Sequence, residues 1–221
     1  MAYKIRVWDL PTRVFHWAIV ACVIGLVITA NLGGSAMEWH FRLGYTVLSL
    51  LLFRLVWGFV GGHWSRFRSF IFTPSTVWRY LRGAGKAEHS VGHNPAGAGS
   101  VFALLGFLLL QATSGLFTDD EIAAAGPLGK FVSNVVVGDA SYYHREIGKT
   151  VLIALVVLHI AAIVFYVLRK RQNLVRPMLQ GDKELAFEAP GSRDDARSRG
   201  LALVLFLACA ALVAWTVQLA G

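Results

Sequence analysis

Charge is scarce in this chain: 15% of its 221 residues are Asp, Glu, Lys or Arg, against about a quarter in an ordinary soluble domain. Cysteine is scarcer still. Cys22 and Cys209 are the only two, and both fall in apolar runs, so neither a disulfide framework nor a cysteine-built zinc site is indicated. No Cys-x-x-Cys-His occurs, so covalent c-type haem attachment is not indicated either. The chain also lacks a phosphate-binding glycine loop, a nucleophile–base pair and a carboxylate dyad of any specificity. No catalytic residue is therefore assigned.

What is present is apolar sequence: 56% of the residues are hydrophobic. Five runs approach the 20 or so residues that cross a bilayer: Val14–Leu32, Phe41–Gly61, Ser100–Phe117, Thr150–Leu168 and Leu201–Gly221. In lipid such runs must be helices, because a helix satisfies its own backbone hydrogen bonds. The first run is longer than the roughly 7–15 residues of a signal-peptide core and contains His16 and Trp17, so it reads as a span and not as a leader. The expected fold class is all-α integral membrane. Thr73-Pro74 reads as the start of a short amphipathic helix on the membrane surface. Gly83–Gly99 reads as flexible, and the polar stretch Leu174–Gly200 as a linker to the fifth span.

The net charge of +8 is unevenly spread. Segments 1–13, 62–99 and 169–200 together hold 16 of the 21 Lys and Arg. The alternate loops, Asn31–Trp39 and Thr118–Tyr143, are acidic or nearly uncharged, with Glu38, Asp119, Asp120, Glu121 and Asp139 against Lys130. Five spans put all three basic segments on one side, and the positive-inside rule makes it cytoplasmic. The N-terminus is then inside and the C-terminus outside. Membrane lipid accounts for the basic charge, and nucleic-acid binding is not expected.

Ionisable side chains within spans are functional candidates. His16 lies near the inner end of the first span, and His40 and His144 open the second and fourth spans from outside. His159 is 15 residues beyond His144, about 22 Å deeper at helical rise and facing roughly the same way. The four sort by depth into an inner pair, His16 with His159, and an outer pair, His40 with His144. Two imidazoles from facing helices fill both axial positions of a haem b, which suits electron transfer. A metal site or a proton pathway is the alternative reading of the same histidines. Gly44 and Gly148, each four residues after a histidine, would let a porphyrin approach the backbone. Arg54, 14 residues past His40, falls near the depth of the inner pair. It could neutralise a haem propionate or bind a quinone oxygen.

Several motifs resemble one known family in its own order. They are Val7-Trp-Asp-Leu-Pro-Thr-Arg-Val-Phe-His16-Trp17, His40-Phe-Arg-Leu-Gly44-Tyr45 and Leu52-Phe-Arg54-Leu-Val-Trp57-Gly58. Gly92-His-Asn-Pro95, Thr113-Ser-Gly-Leu-Phe117 and Tyr143-His144-Arg145, followed by Gly148 and His159, continue the series. The resemblance, over about residues 5–180, is to the bacterial cytochrome b561 / nickel-iron hydrogenase cytochrome b subunit family. It implies a four-helix transmembrane haem-binding bundle with b haems held by His16, His40, His144 and His159. It also implies electron exchange between quinone and a partner such as a hydrogenase, another oxidoreductase subunit or a c-type cytochrome. Thr29-Ala30 and Ser114-Gly115 depart from Thr-Gly pairs common in the family, and the fifth span exceeds its minimal bundle.

The resulting expectation is a cytochrome b561-like membrane domain over residues 1–180, a polar linker over 181–200 and an additional transmembrane helix over 201–221. The protein would be a di-haem b-type cytochrome of the bacterial inner membrane, linking the quinone pool to a redox partner. A superoxide:quinone oxidoreductase on the same scaffold and a non-haem transporter or anchor subunit are the alternatives. Dimerisation through the fifth span is left open.

Overall fold

The structure, a computed structural model, describes residues 2–119 and 124–220; Asp120 and Glu121 of the acidic loop lie outside them. Among the described residues the protein is all-α apart from one short ribbon, and five helices there are long and apolar enough to cross a membrane. They are α1 (Leu10–Leu32), α2 (Ala36–Val60), α4 (Pro95–Gly115), a continuous helical run over Asn134–Leu168, and α8 (Ala196–Ala220). The 35-residue run comprises α5 (Asn134–Tyr142), a π-helical turn (Tyr143–Gly148) and α6 (Lys149–Leu168).

The helices begin earlier than the apolar windows suggest, because caps and not hydrophobicity set their ends. Thr12 N–H donates to Asp9 Oδ1 at 2.8 Å, so Asp9 caps α1. Asn94 Oδ1 accepts from Gly97 N–H at 2.7 Å and starts α4 ahead of Ser100. Ser133 caps α5, so the fourth helical run begins 16 residues before Thr150. His144 thus lies inside a helix and not at its opening. Thr73 caps α3 (Pro74–Leu81), as its sequence indicates. The Tyr80 hydroxyl of α3 meets that of Tyr166 at 2.8 Å, which fastens this short helix to α6.

The chain divides into two compact units. The first comprises Met1–Phe15, Arg54–Ala103 and Val157–Val204. Here β1 (Tyr3–Arg6) pairs antiparallel with β2 (Asp182–Leu185), so residues 174–200 are folded around the start of the chain. Helix α7 (Val175–Gln180) ends at Gly181, whose φ of 91° suits glycine. Gly181 O accepts from Val7 and Trp8 N–H. Ser192 accepts from Trp64 N–H and donates to Val7 O. Val7, Trp8, Val91 and Leu185 form the apolar centre of this cap. Half-buried Lys183 donates to Ser90 O, and its partial burial lowers its pKa. Asp194 ties the cap together, accepting from Arg6, Leu10 N–H and Arg199 at 2.9, 3.1 and 3.0 Å.

The second unit comprises His16–Phe53, Leu104–Val156 and Leu205–Gly221. Its core joins Leu48 of α2, Leu116 after α4 and Val213 of α8. Phe53 of α2 packs edge-on against Phe206 of α8, with ring centres 6.2 Å apart.

Asp9 is fully buried and accepts from four groups: Thr12 N–H, Trp57 Nε1, Gly62 N–H and the Ser65 hydroxyl. Asp9→Ala should strand several of these donors and lower stability by roughly 3 kcal/mol or more, measured as denaturant unfolding in detergent. A loss below about 1 kcal/mol would mean that water replaces the carboxylate.

Asp194 carries a pH prediction. Burial alone would raise its pKa, but the Arg199 hydrogen bond, the Leu10 N–H and the charges of Arg199 and Arg6 pull it below the ordinary carboxylate value. A carboxylate held low adds stability above its unfolded pKa, and that stability is lost as the pH falls through the folded pKa. The cap should therefore hold at neutral pH and loosen only below about pH 4, read as protease cleavage within 181–195. Cleavage already rising near pH 6 would contradict this.

Candidate functional site

The structure brings His40 and His144 together in the second unit. Their ring centres are 6.3 Å apart, with planes crossed at 82°. His40 lies in the second turn of α2 and its Nδ1 is 3.2 Å from Leu26 O on α1. His144 lies in the π-turn and its Nδ1 is 2.9 Å from Gln111 O on α4. A carbonyl can only accept, so in both rings Nδ1 carries the proton and Nε2 is left with its lone pair. The Thr29 hydroxyl stands 3.2 Å from His40 Nδ1. The Ser114 hydroxyl stands at the same distance from His144 Nδ1. Each imidazole is thus oriented from behind by a neighbouring helix, as metal-bound histidines usually are.

The separation of the ring centres matches what an iron between the rings would need. Two metal–nitrogen bonds of about 2 Å, and about 1 Å from each nitrogen to its ring centre, come to roughly 6 Å. The space beside Gly44 is open, with no atom within 4 Å of where a Cβ would stand. Gly148 differs: a Cβ there would run into the Gln111 carboxamide and lie 2.8 Å from the Tyr143 ring. A Cβ on Gly115 would stand 2.9 Å from His144 Cε1, so that glycine lets α4 pass close to the imidazole. Among the described residues, no three His, Cys, Asp or Glu side chains gather as a polydentate metal site would need.

The other histidines are described by unit. His16, in the second unit, is half-buried with Trp17 edge-on to its ring at 5.0 Å. His159 belongs to the first unit and is also half-buried. The inner pair therefore rests on the depth argument.

Arg54, in the first unit, is 3% exposed. Its guanidinium lies over the Phe67 ring at 4.8 Å and feels the charge of Asp9. Its Nη1 is buried without a hydrogen-bond partner, a costly state that an anionic oxygen would relieve. Gly58, one turn on, makes room for the Phe67 ring.

Sequence reasoning missed three residues that matter here. Gln111 is the sole amide in the third apolar run, a signal that could have found it. Asp9 stood in plain view in Val7-Trp-Asp, but three of its four partners, Trp57, Gly62 and Ser65, are distant in sequence. Nothing in the sequence points to Phe67.

In the second unit a groove of about 330 Å³ is lined by Tyr45, Thr46, Ser49, Phe206, Ala210 and Gln218 among others. A more polar cavity of about 500 Å³ lies beside the π-turn, lined by Asp119, Ser141, Arg145 and Glu146 among others.

The chain is 27% identical over 135 residues to a probable Ni/Fe-hydrogenase 1 B-type cytochrome subunit of Escherichia coli K12, covering 48% of this chain and 54% of that protein. It thus spans about half the length of that relative. Longer matches reach the probable Ni/Fe-hydrogenase B-type cytochrome subunits of Bradyrhizobium diazoefficiens and Rhodobacter capsulatus. The first is 23% identical over 218 residues, covering 81% of this chain and 86% of the relative. The second is 24% identical over 217 residues, covering 81% of each. No solved structure matches the chain. Residues 7–181 match prokaryotic cytochrome b561, and with that match over most of its length the chain belongs to the prokaryotic cytochrome b561 / nickel-iron hydrogenase cytochrome b subunit family.

Proposed function

We propose that this protein is a di-haem b-type cytochrome that passes electrons between the membrane quinone pool and a partner redox protein. Membership of a cytochrome b family carries the haem-binding, electron-transferring role. The number of haems, their ligands and the reaction partners are the proposal. The observation that carries it is the His40–His144 pair: two half-buried imidazoles, both with Nδ1–H committed to carbonyls, at the spacing an iron would need. His16 and His159 would form the second ligand pair.

Haem bound at these positions would supply reversible one-electron exchange at its iron. The chain's own residues do the rest. Leu26 and Gln111 carbonyls hold the imidazoles in one tautomer and raise their basicity. Gly44 leaves room for the macrocycle. Gly148 is assigned to the same site. Arg54 offers a desolvated positive charge to a carboxylate, as a propionate or an anionic quinone oxygen would need. Two histidine ligands would leave a bound haem iron no open position for substrate, which favours electron relay over chemistry at the metal.

The partner is read by analogy with the relatives, which are named as probable subunits of hydrogenases; a c-type cytochrome or another oxidoreductase subunit fits the same role. The charge distribution supports an inner-membrane location with the N-terminus cytoplasmic and the C-terminus periplasmic.

Haem quantification with reduced-minus-oxidised spectra tests the ligand assignment. The parent should hold two b haems per chain. His144→Leu and His40→Leu should each lose one and the same haem, and His16→Leu and His159→Leu the other. A His144 variant that keeps both haems would sink the outer pair.

A further inference from the structure

α4 contributes no histidine, yet it holds the π-turn that carries His144. Gln111 of α4 touches that turn twice. Its backbone carbonyl accepts from His144 Nδ1 at 2.9 Å, and its side-chain Nε2 donates to the His144 carbonyl at 2.9 Å. One residue thus grips both the ring and the backbone of the same histidine. A π-turn widens the helix, and turns of this kind gather at functional positions. Here the Gln111 amide supplies a donor to a carbonyl of that widened turn. Gly148 closes the turn, and a Cβ at that position would collide with Gln111 Oε1. The absence of a side chain at 148 is what lets the amide reach His144. Ser114, one turn along α4, adds its hydroxyl at 3.2 Å from His144 Nδ1.

We infer that Gln111 is a positioning residue for the outer haem, holding His144 through a clamp that needs glycine at 148. The inference rests on the proposed ligation of haem by His144. It assigns Gly148 a different task from admitting porphyrin: the space is kept for an amide. The consequence is electronic. A firm Nδ1–H···O bond makes the imidazole a stronger donor and favours ferric iron. Loosening the clamp weakens that bond and raises the potential of one haem alone.

The test is a redox titration of the purified parent, Gln111→Met and Gly148→Ala proteins, with haem counted per chain. Methionine keeps the bulk of glutamine and removes the donor. Both variants should shift one haem upward by about tenfold in its redox equilibrium, 59 mV for one electron, and leave the other at its parental potential. Loss of that one haem with the other unmoved would support the clamp equally. Unchanged potentials in Gln111→Met with two haems bound would overturn the inference while leaving the haem assignment standing. So would a shift in Gly148→Ala that Gln111→Met does not share, because the glycine would then serve the porphyrin. A matching shift or loss of both haems would make Gln111 a support of the fold and overturn its positioning role. A parent that binds no haem would remove the underlying reading itself.

Discussion

An imidazole in the apolar part of a membrane has two nitrogens to satisfy and no water to satisfy them. Much else in the second unit answers to that constraint. His40 and His144 each spend Nδ1–H on a carbonyl of a neighbouring helix, and each thereby aims Nε2 away from its own support. The carbonyls come from within helices, at Leu26 and Gln111. Thr29 and Ser114 stand beside them with hydroxyls that also bond back to their own helices. α1 and α4 are thus the walls that hold the histidines of α2 and of the π-turn. A helix that brings no histidine can still decide how one sits.

The first unit solves a harder version of the same problem, because it buries full charges. Asp9 and Arg54 are both nearly inaccessible. The carboxylate is saturated by four donors, and by accepting from one of them, Thr12 N–H, it also caps α1. The guanidinium is left with an aromatic face and one unmatched nitrogen. That asymmetry separates the two roles. A saturated charge holds structure, whereas the unsaturated one is open to the anionic oxygen proposed for it. The ribbon and the Asp194 ion cluster close the same unit with residues 181–199, most of which lie beyond the stretch that defines the family.

Span number was readable from hydropathy because lipid leaves the backbone no alternative to a helix. Helix ends were less readable. They depend on caps such as Asp9, Asn94 and Ser133, which hydropathy does not weigh. The outer pair emerged from counting residues between basic and acidic loops, since depth along a helix is arithmetic. Ring orientation did not, because it depends on carbonyls presented by other helices. The Leu174–Gly200 segment read as a linker from its prolines and charges. Its folding depends on pairing with Tyr3–Arg6, nearly the whole chain away, and local composition holds no trace of that. Gly148 shows the same limit: a glycine four residues after a histidine signals a close approach without saying of what.

The most direct test of the central claim is electron paramagnetic resonance of the oxidised protein in its membrane. Two imidazoles on one iron with ring planes crossed near 82° predict a low-spin ferric centre of strongly anisotropic signal, which disappears in His144→Leu. A spectrum that is high-spin throughout, or one from which His144→Leu removes no low-spin component, would contradict ligation by the His40–His144 pair; the signal of the second haem should persist in that variant.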